Sequence, residues 1–300
     1  MSYNPNAIFI SHSIISDFEK CPQRYYYQSV YRTPRGYRIQ IINPHLALGE
    51  AVHDTLEQFL LCPPSGRNKD ELMRIFEWNW QNFTGEKGGF LSLTEEKDFK
   101  ERALAMLERF LKNRHFLETE GVKIKEFPQA DLGNDLILTG RFDWVEKEGD
   151  TYHIIDFKTG KNEEKEDSKQ LPIYAILLKK MLGIEKVKTS YWYLDRDEEI
   201  VSFDLPDLTQ TLSELKQKGE IIKLFRQTNS FRCQSGGESC YACRDLLAVV
   251  QGKGKLVSMN SNRRQEVYII TGKDLLTSSE PVAPSAPVNT PEDTVEDLPF

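Results

Sequence analysis

The stretch LTGRFDWVEKEGDTYHIIDFKTG, residues 138–160, constrains the fold more than any other part of the chain. Apolar and polar side chains alternate with period two on either side of Gly149–Asp150. The pattern predicts two strands, 136–145 and 151–158, joined by a tight turn. A hairpin turning there sets positions that sum to 299 opposite one another, so Asp143 faces Asp156. Opposed residues project from one face with Cβ atoms about 4.5–5.5 Å apart. Lys158, two residues after Asp156, shares that face. Two opposed carboxylates repel each other, and a bound divalent cation removes the conflict. Hard oxygen ligands suit Mg or Mn. Lys158 can orient an attacking water and stabilise charge on a phosphate. The plainer alternative is a surface hairpin with one Asp156–Lys158 ion pair.

The rest of the chain divides around this hairpin. Ser13, with Ser16 as a second choice, can cap an N-terminal helix whose apolar face begins at Ile14, Ile15 and Phe18. Three further helices follow from spacing: Leu48, Val52, Leu56, Phe59 and Leu60; then Leu72, Ile75, Phe76 and Phe83; then Phe99, Ala103, Met106, Leu107 and Phe110. Beyond the hairpin, 169–182 reads as a helix, 188–204 as a second hairpin around Asp195–Asp197, and 207–225 as an amphipathic helix. A cysteine-bearing segment follows, then a weakly patterned stretch with one short strand candidate, Val267 to Ile270. Helices, a mixed sheet, then helices again predict an α/β fold. Gly49, His53 and Glu57 share one stripe of their helix, and Gln170 and Tyr174 share one face of theirs.

The net charge of -7 at first sight discourages a polyanion partner, but it is uneven. Residues 277–300 hold five acids, Glu280, Glu292, Asp293, Glu296 and Asp297, with five prolines and no base. They have too few bulky apolar residues to offset ordering entropy and predict a disordered acidic tail. Without that tail the body carries only -2, and binding to a polyanion is not excluded. The run Glu163 to Asp167, which includes Lys165, reads as a solvated loop. No apolar run approaches a membrane span, and mean hydropathy is -0.52. The first residues show no basic and apolar leader, which predicts a cytoplasmic protein. Five cysteines without a leader argue against a disulfide framework.

The ordered motifs SHSIISDFEKCPQRYYY (11–27), GEAVH (49–53), LTGRFD (138–143), IIDFKTG (154–160) and QLPIY (170–174) carry a resemblance. In that order they resemble RecB-like nucleases of the PD-(D/E)XK superfamily, including those of CRISPR adaptation and AddB-type repair subunits. The likeness covers residues 9–245 in outline. It implies a restriction-endonuclease-like α/β core, a mixed sheet flanked by helices. It also implies a metal-dependent DNA nuclease of repair, recombination or CRISPR adaptation, exonuclease-like on single strands or ends. By the same likeness His53, Asp143, Asp156 and the Phe157 backbone carbonyl are metal ligands and Lys158 is the catalytic lysine. Gln170 and Tyr174 support the substrate side. The implied domain spans 1–276: a helical part at about 11–118, a catalytic core at about 122–225 and a cysteine-bearing segment at about 226–276. The tail is 277–300. The alternative from another class is a catalytically silent DNA-binding or scaffold subunit.

The resemblance also gives the cysteines a role. Relatives with an iron–sulfur cluster join one early cysteine to three late ones, here Cys21 with Cys233, Cys240 and Cys243. Four thiolates can hold a [4Fe–4S] cluster, which would clasp segments over two hundred residues apart. The late spacing, C-x6-C-x2-C, departs from the usual order, so zinc or free thiols are the other outcomes. Cys62, before Pro63–Pro64, reads as a free thiol.

Arg24, Tyr25–Tyr26–Tyr27, Tyr31, Arg32, Arg35, Tyr37 and Arg38 interleave bases with aromatics. Arg24, Tyr27, Arg32 and Arg35 are the DNA-binding candidates: guanidiniums for phosphates and a ring for stacking. At least two of the three tyrosines at 25–27 should point inward. Asn262, Arg263 and Arg264 form a weaker basic candidate, usually a solvated loop. No G-x-x-x-x-G-K-[ST] loop occurs, so any motor would be a separate helicase partner. The last residues, Glu-Asp-Leu-Pro-Phe, resemble the C-terminal tip of bacterial single-stranded DNA-binding proteins. That likeness implies docking on repair partners through Asp297, Leu298, Pro299 and Phe300.

Overall fold

A computed structural model describes residues 6–125 and 127–270 of the chain. The expectations for the 277–300 tail, and for Asp297 to Phe300 within it, lie outside the described residues. The chain runs β1 (Ile8–Ile10), α1 (His12–Lys20), α2 (Pro22–Tyr25), β2 (Arg38–Ile41), α3 (Pro44–Leu61), α4 (Lys69–Trp80), α5 (Leu93–Lys112), α6 (Arg114–Glu118). It continues β3 (Gln129–Gly133), β4 (Leu136–Thr139), β5 (Trp144–Glu148), β6 (Thr151–Lys158), α7 (Gln170–Leu182), β7 (Lys186–Tyr193), β8 (Val201–Phe203), α8 (Leu208–Thr228). It ends with α9 (Arg244–Val250), β9 (Lys255–Asn260) and β10 (Gln265–Ile269). The described residues form two compact units. The first takes 6–16 and 43–230, the second 17–42 and 231–270. Mixed sheets flanked by helices make this the expected α/β fold.

In the first unit a four-stranded sheet runs β5-β6-β7-β8. β5 and β6 are antiparallel and β6 and β7 parallel, so the chain needs a crossover between the last two. α7 supplies it. The sheet is buried on both faces. Phe110 of α5 and Phe116 of α6 stack with Trp192 and meet Phe157 edge-on on one face. Leu171, Ala175 and Leu178 of α7 pack with Ile154, Tyr191 and Tyr193 on the other. A second sheet, β1-β4-β3, completes the unit.

Two sequence expectations change. Residues 136–145 are not one strand: β4 and β5 belong to different sheets, with the break at 140–143. The reason lies at Gly140, where a Cβ would approach Tyr174 and Leu177 of α7 to 3.0 and 3.1 Å. The residue that lets α7 lie close has little strand propensity of its own. Ser11, not Ser13 or Ser16, caps α1. Its Oγ accepts from the Ile14 N–H at 3.2 Å, while Ser13 already lies inside the helix. β1, β2, β3 and β9 were not expected, because short strands such as IFI and QADLG offer too few residues for a period to show.

Glu146 shows how a hairpin position can hold a buried charge. It is 3% exposed. One carboxylate oxygen accepts from Trp144 Nε1 at 2.8 Å and His115 Nε2 at 2.6 Å, the other from His153 Nδ1 at 3.0 Å. Burial alone would raise its pKa, but the hydrogen bonds from His153, Trp144 and His115 outweigh it and hold the group at about 2. A depressed carboxylate pKa stabilises the fold above the unfolded value. That stability is lost as pH falls through the folded value. Glu146→Gln should therefore cost about 3 kcal/mol at pH 7. The gap between the two urea melting curves should narrow below about pH 4.5; equal curves at pH 7 would contradict this.

In the second unit β10 pairs parallel with β2 and antiparallel with β9. Tyr27, Ile39, Leu246 and Val249 form its core. Tyr25 and Tyr27 point inward, as expected of at least two of the three tyrosines. No helix among the described residues is long and apolar enough to cross a membrane.

Candidate functional site

The hairpin register carries the site. β5 and β6 pair Trp144 with Ile155 and Val145 with Ile154, the register that brings Asp143 beside Asp156. Asp156 is 4% exposed and sits on the α7 face of the sheet. Its Oδ1 accepts from Gln170 Nε2 at 3.0 Å and its Oδ2 pairs with Lys158 Nζ at 3.0 Å. Asp143 Oδ1 takes His53 Nδ1 at 2.9 Å, and Oδ2 takes the Phe157 N–H at 2.9 Å. Gln170 also accepts from Lys158, and its Nε2 lies 3.4 Å from Tyr174 Oη. His53 of α3 and Asp143, just before β5, thus form one pair, joined through the Phe157 backbone to the Asp156–Lys158–Gln170–Tyr174 network of β6 and α7.

Each arm has a local cause. Asn43 caps α3 by accepting from Leu46 N, and Pro44 starts the helix with its fixed φ. Gly49 lets that helix approach the end of β6: a Cβ there would meet Thr159 Oγ1 at 3.1 Å. One turn on, His53 reaches Asp143. Arg141, in the break before β5, bonds Asp54 at 3.3 Å and Glu57, which ties α3 to the hairpin. Gln170 and Tyr174 open α7, one turn apart, directly over Asp156.

The charges are not equivalent. Burial, then the Asp143 charge, pushes Asp156 up to about 7. Burial also acts on Asp143, but the charge and hydrogen bond of His53 and the Phe157 N–H hold it below its ordinary value. Lys158 is held above its ordinary value: burial opposes its charge, but Asp156 and Glu164 favour it more. Burial and Asp156 likewise raise the Tyr174 phenol.

Glu164 was not foreseen as part of this site. The run 163–167 is largely solvated, but Glu164 turns inward and meets Lys158 Nζ at 3.1 Å. Its backbone N–H donates to Tyr193 Oη at 3.0 Å, and Ser168 Oγ donates to its carboxylate at 3.3 Å. Arg102 was also missed. It grips Asp195 with two bonds of 2.9 Å and the Thr159 carbonyl at 3.1 Å, bracing the strand end that carries Lys158. Neither residue has a sequence signal, because each acts across more than one element.

In the second unit the thiols of Cys21, Cys233, Cys240 and Cys243 lie within 4.8 Å of one another. None is disulfide-bonded. Cys21 precedes α2 and Cys243 precedes α9, while Gly236 and Gly237, at φ 78° and 70°, turn the chain between Cys233 and Cys240. Burial raises the Cys243 thiol. At Cys233 burial is outweighed by backbone N–H groups of Gly237 and Ser235, which bring it to about 7. Four thiols about one centre, with amides aimed at a sulfur, suit a metal. A second group, Glu146, Glu148 and His153, also has ligand atoms within 4.8 Å of one another. Its Glu146 oxygens already hold three N–H partners, and Glu148 pairs with Lys188 at 2.7 Å.

The DNA-binding candidates fare unequally. The ring of Tyr27 is 6% exposed in the core and has no face free for a base. Arg24 bonds Asp17 and the Ala242 carbonyl. Arg32 is exposed, and Arg35 is exposed with one bond to Glu266 at 3.1 Å. Cys62 is a free thiol.

Among solved structures, a crystal structure of a proposed exonuclease from Eubacterium rectale is similar. The TM-score is 0.50 at 14% identity, over 79% of this chain and 87% of that one. At such identity the likeness concerns the fold alone. No curated protein matches the chain. A family model described as the PD-(D/E)XK nuclease superfamily matches residues 10–244, which include both the carboxylate–lysine network and the four clustered cysteines. With more than three quarters of its length matched in this way, the chain belongs to the PD-(D/E)XK nuclease superfamily.

Proposed function

We propose that the chain is a metal-dependent deoxyribonuclease of the RecB-like kind. It acts in DNA repair, recombination or CRISPR adaptation and attacks single strands or ends. The observation that carries this reading is the meeting of Asp143, Asp156 and Lys158 on one sheet face, with His53 against the first carboxylate. A divalent cation fits the donor set. Two buried carboxylates lie together, and the repulsion that lifts Asp156 to about 7 is what a cation would relieve. Asp143, Asp156, His53 and the Phe157 carbonyl would hold it, with Mg or Mn favoured by hard oxygen donors. Such an ion supplies charge neutralisation at the phosphate and makes water easier to deprotonate.

The chain's own groups do the rest. Lys158 presents a fixed positive charge beside the carboxylates, where charge develops on the phosphate. Gln170 binds both Lys158 and Asp156 and so fixes their side chains. Tyr174 supports Gln170. Incoming phosphate competes with Glu164 for the lysine.

The four cysteines form a structural metal centre in this reading. The resemblance favours a [4Fe–4S] cluster. One observation favours zinc as the second reading: sulfurs within 4.8 Å approach the ~3.8 Å separation expected around a tetrahedral ion with Zn–S near 2.3 Å.

End-labelled single- and double-stranded DNA incubated with Mg or Mn tests the main reading. Wild type should cut and Asp156→Ala should not, and the products separate end cleavage from internal cleavage. A wild type that cuts neither substrate with either ion would leave the DNA-binding scaffold as the correct function.

A further inference from the structure

We propose that Gln23 is a positioning residue for the cysteine centre of the second unit. Its side-chain amide turns over when Cys243 ligates a metal and then donates a hydrogen bond to that sulfur. The hydroxyl of Tyr27 lets the amide turn without losing a partner. The inference rests on the metal-centre reading above and goes beyond the four ligands it names.

The four sulfurs differ in what surrounds them. Backbone N–H groups of Arg24 and Gln23 point at Cys21, and those of Gly237 and Ser235 point at Cys233. Such donors favour the thiolate form that a metal ligates. Cys243 faces two oxygens instead. Its Sγ lies 3.7 Å from Gln23 Oε1 and 3.8 Å from the Gly237 carbonyl oxygen. Both contacts suit an S–H that donates. On binding metal, Cys243 gives up that proton to solvent and forms a metal–sulfur bond. The sulfur then has nothing to donate, and an oxygen against it is repelled. Cys243 is fully buried, so water does not take up the mismatch.

The two oxygens differ in their freedom to respond. The Gly237 carbonyl is held by the Cys240 N–H at 3.0 Å. The Gln23 oxygen belongs to a side-chain amide that carries two N–H donors on its other arm, and rotation about one bond exchanges the arms. Such a rotation ordinarily strands whatever the nitrogen was bonding. Here Nε2 donates to Tyr27 Oη at 3.0 Å. A phenol accepts and donates alike. After the rotation Tyr27 donates to Oε1, and Nε2 donates to the sulfur. The hydroxyl is a fixed point, because Tyr27 stands one helical turn from Gln23 with its ring packed among Ile39, Leu246 and Val249. This gives a role to a buried tyrosine whose ring has no face for a base.

The test uses the full chain purified anaerobically with its metal. It follows the metal left on the protein during incubation with excess EDTA. Gln23→Met fills similar volume with neither donor nor acceptor. It should release metal about ten- to a hundredfold faster than wild type, the usual loss when a partner of a ligand is removed. Tyr27→Phe keeps the ring and removes the hydroxyl, and it should also release metal faster. The double variant should be no faster than Gln23→Met alone, because the hydroxyl acts only through the amide. Gln23→Lys carries donors only, enough for both the sulfur and Tyr27 Oη, and should hold metal as wild type does. A packing role would make the two losses add and would not set lysine apart from methionine. Release by Gln23→Met at the wild-type rate, release by Gln23→Lys as fast as by Gln23→Met, or additive losses would each overturn the proposal while leaving the metal centre in place. A wild type that carries no metal overturns the metal-centre reading and this inference with it.

Discussion

Lys158→Met should lower DNA cleavage by about a hundred- to a thousandfold while the protein stays folded and still binds DNA in EDTA. The lysine is mostly buried, with its ammonium between Asp156 at 3.0 Å and Glu164 at 3.1 Å and over the Tyr191 ring at 5.1 Å. A group held so firmly at the end of β6 is preorganised, and a fixed charge beside the reacting phosphate needs no rearrangement during the reaction. Methionine fills similar volume without charge. The fold tolerates the change because Asp156, already raised to about 7, can take up a proton. Glu164→Gln is the informative companion. It frees the lysine from one competing carboxylate without removing its charge, so cleavage should change by less than about tenfold. Equal cleavage by wild type and Lys158→Met would defeat the assignment of the lysine.

Removing metal from the cysteine centre should produce the largest loss of stability. Cys21 lies on the first segment of its unit and Cys233, Cys240 and Cys243 on the second. One bound centre therefore closes a loop of over two hundred residues. Structural metal sites of this kind contribute on the order of 10 kcal/mol to folding in small domains. Chelation, or Cys240→Ser, should lower the melting temperature of the full chain and release the metal in proportion. Anaerobic purification identifies it. Four irons per chain with broad absorption near 400 nm mark a cluster. One zinc in colourless protein marks the tetrahedral ion. Metal-free protein with a melt unchanged by Cys240→Ser would remove the clasp altogether.

The pairing of Asp143 with Asp156 was legible in the sequence for a simple reason. A hairpin is local, so the turn at Gly149–Asp150 fixes the register without help from the rest of the chain. The helices bearing His53 and Gln170 were legible by period, because each buries a long apolar stripe. Glu164 was not, since a charged residue in a charged run gives no sign that Tyr193 and Ser168 will turn it inward. The split of 136–145 into two strands depended on α7 pressing against Gly140, a contact more than thirty residues away.

What the sequence determined by itself is the chemistry of short range: the opposed carboxylates, the lysine two residues on, and the helical faces that carry a histidine and a glutamine. The tertiary structure decided which of these meet. It closed α3 over the hairpin through Gly49, turned Glu164 onto Lys158 and drew four distant thiols together. The physical reason is range. Period and turn chemistry act over a few residues, whereas parallel pairing and layer packing depend on burial across the whole chain and leave no local trace.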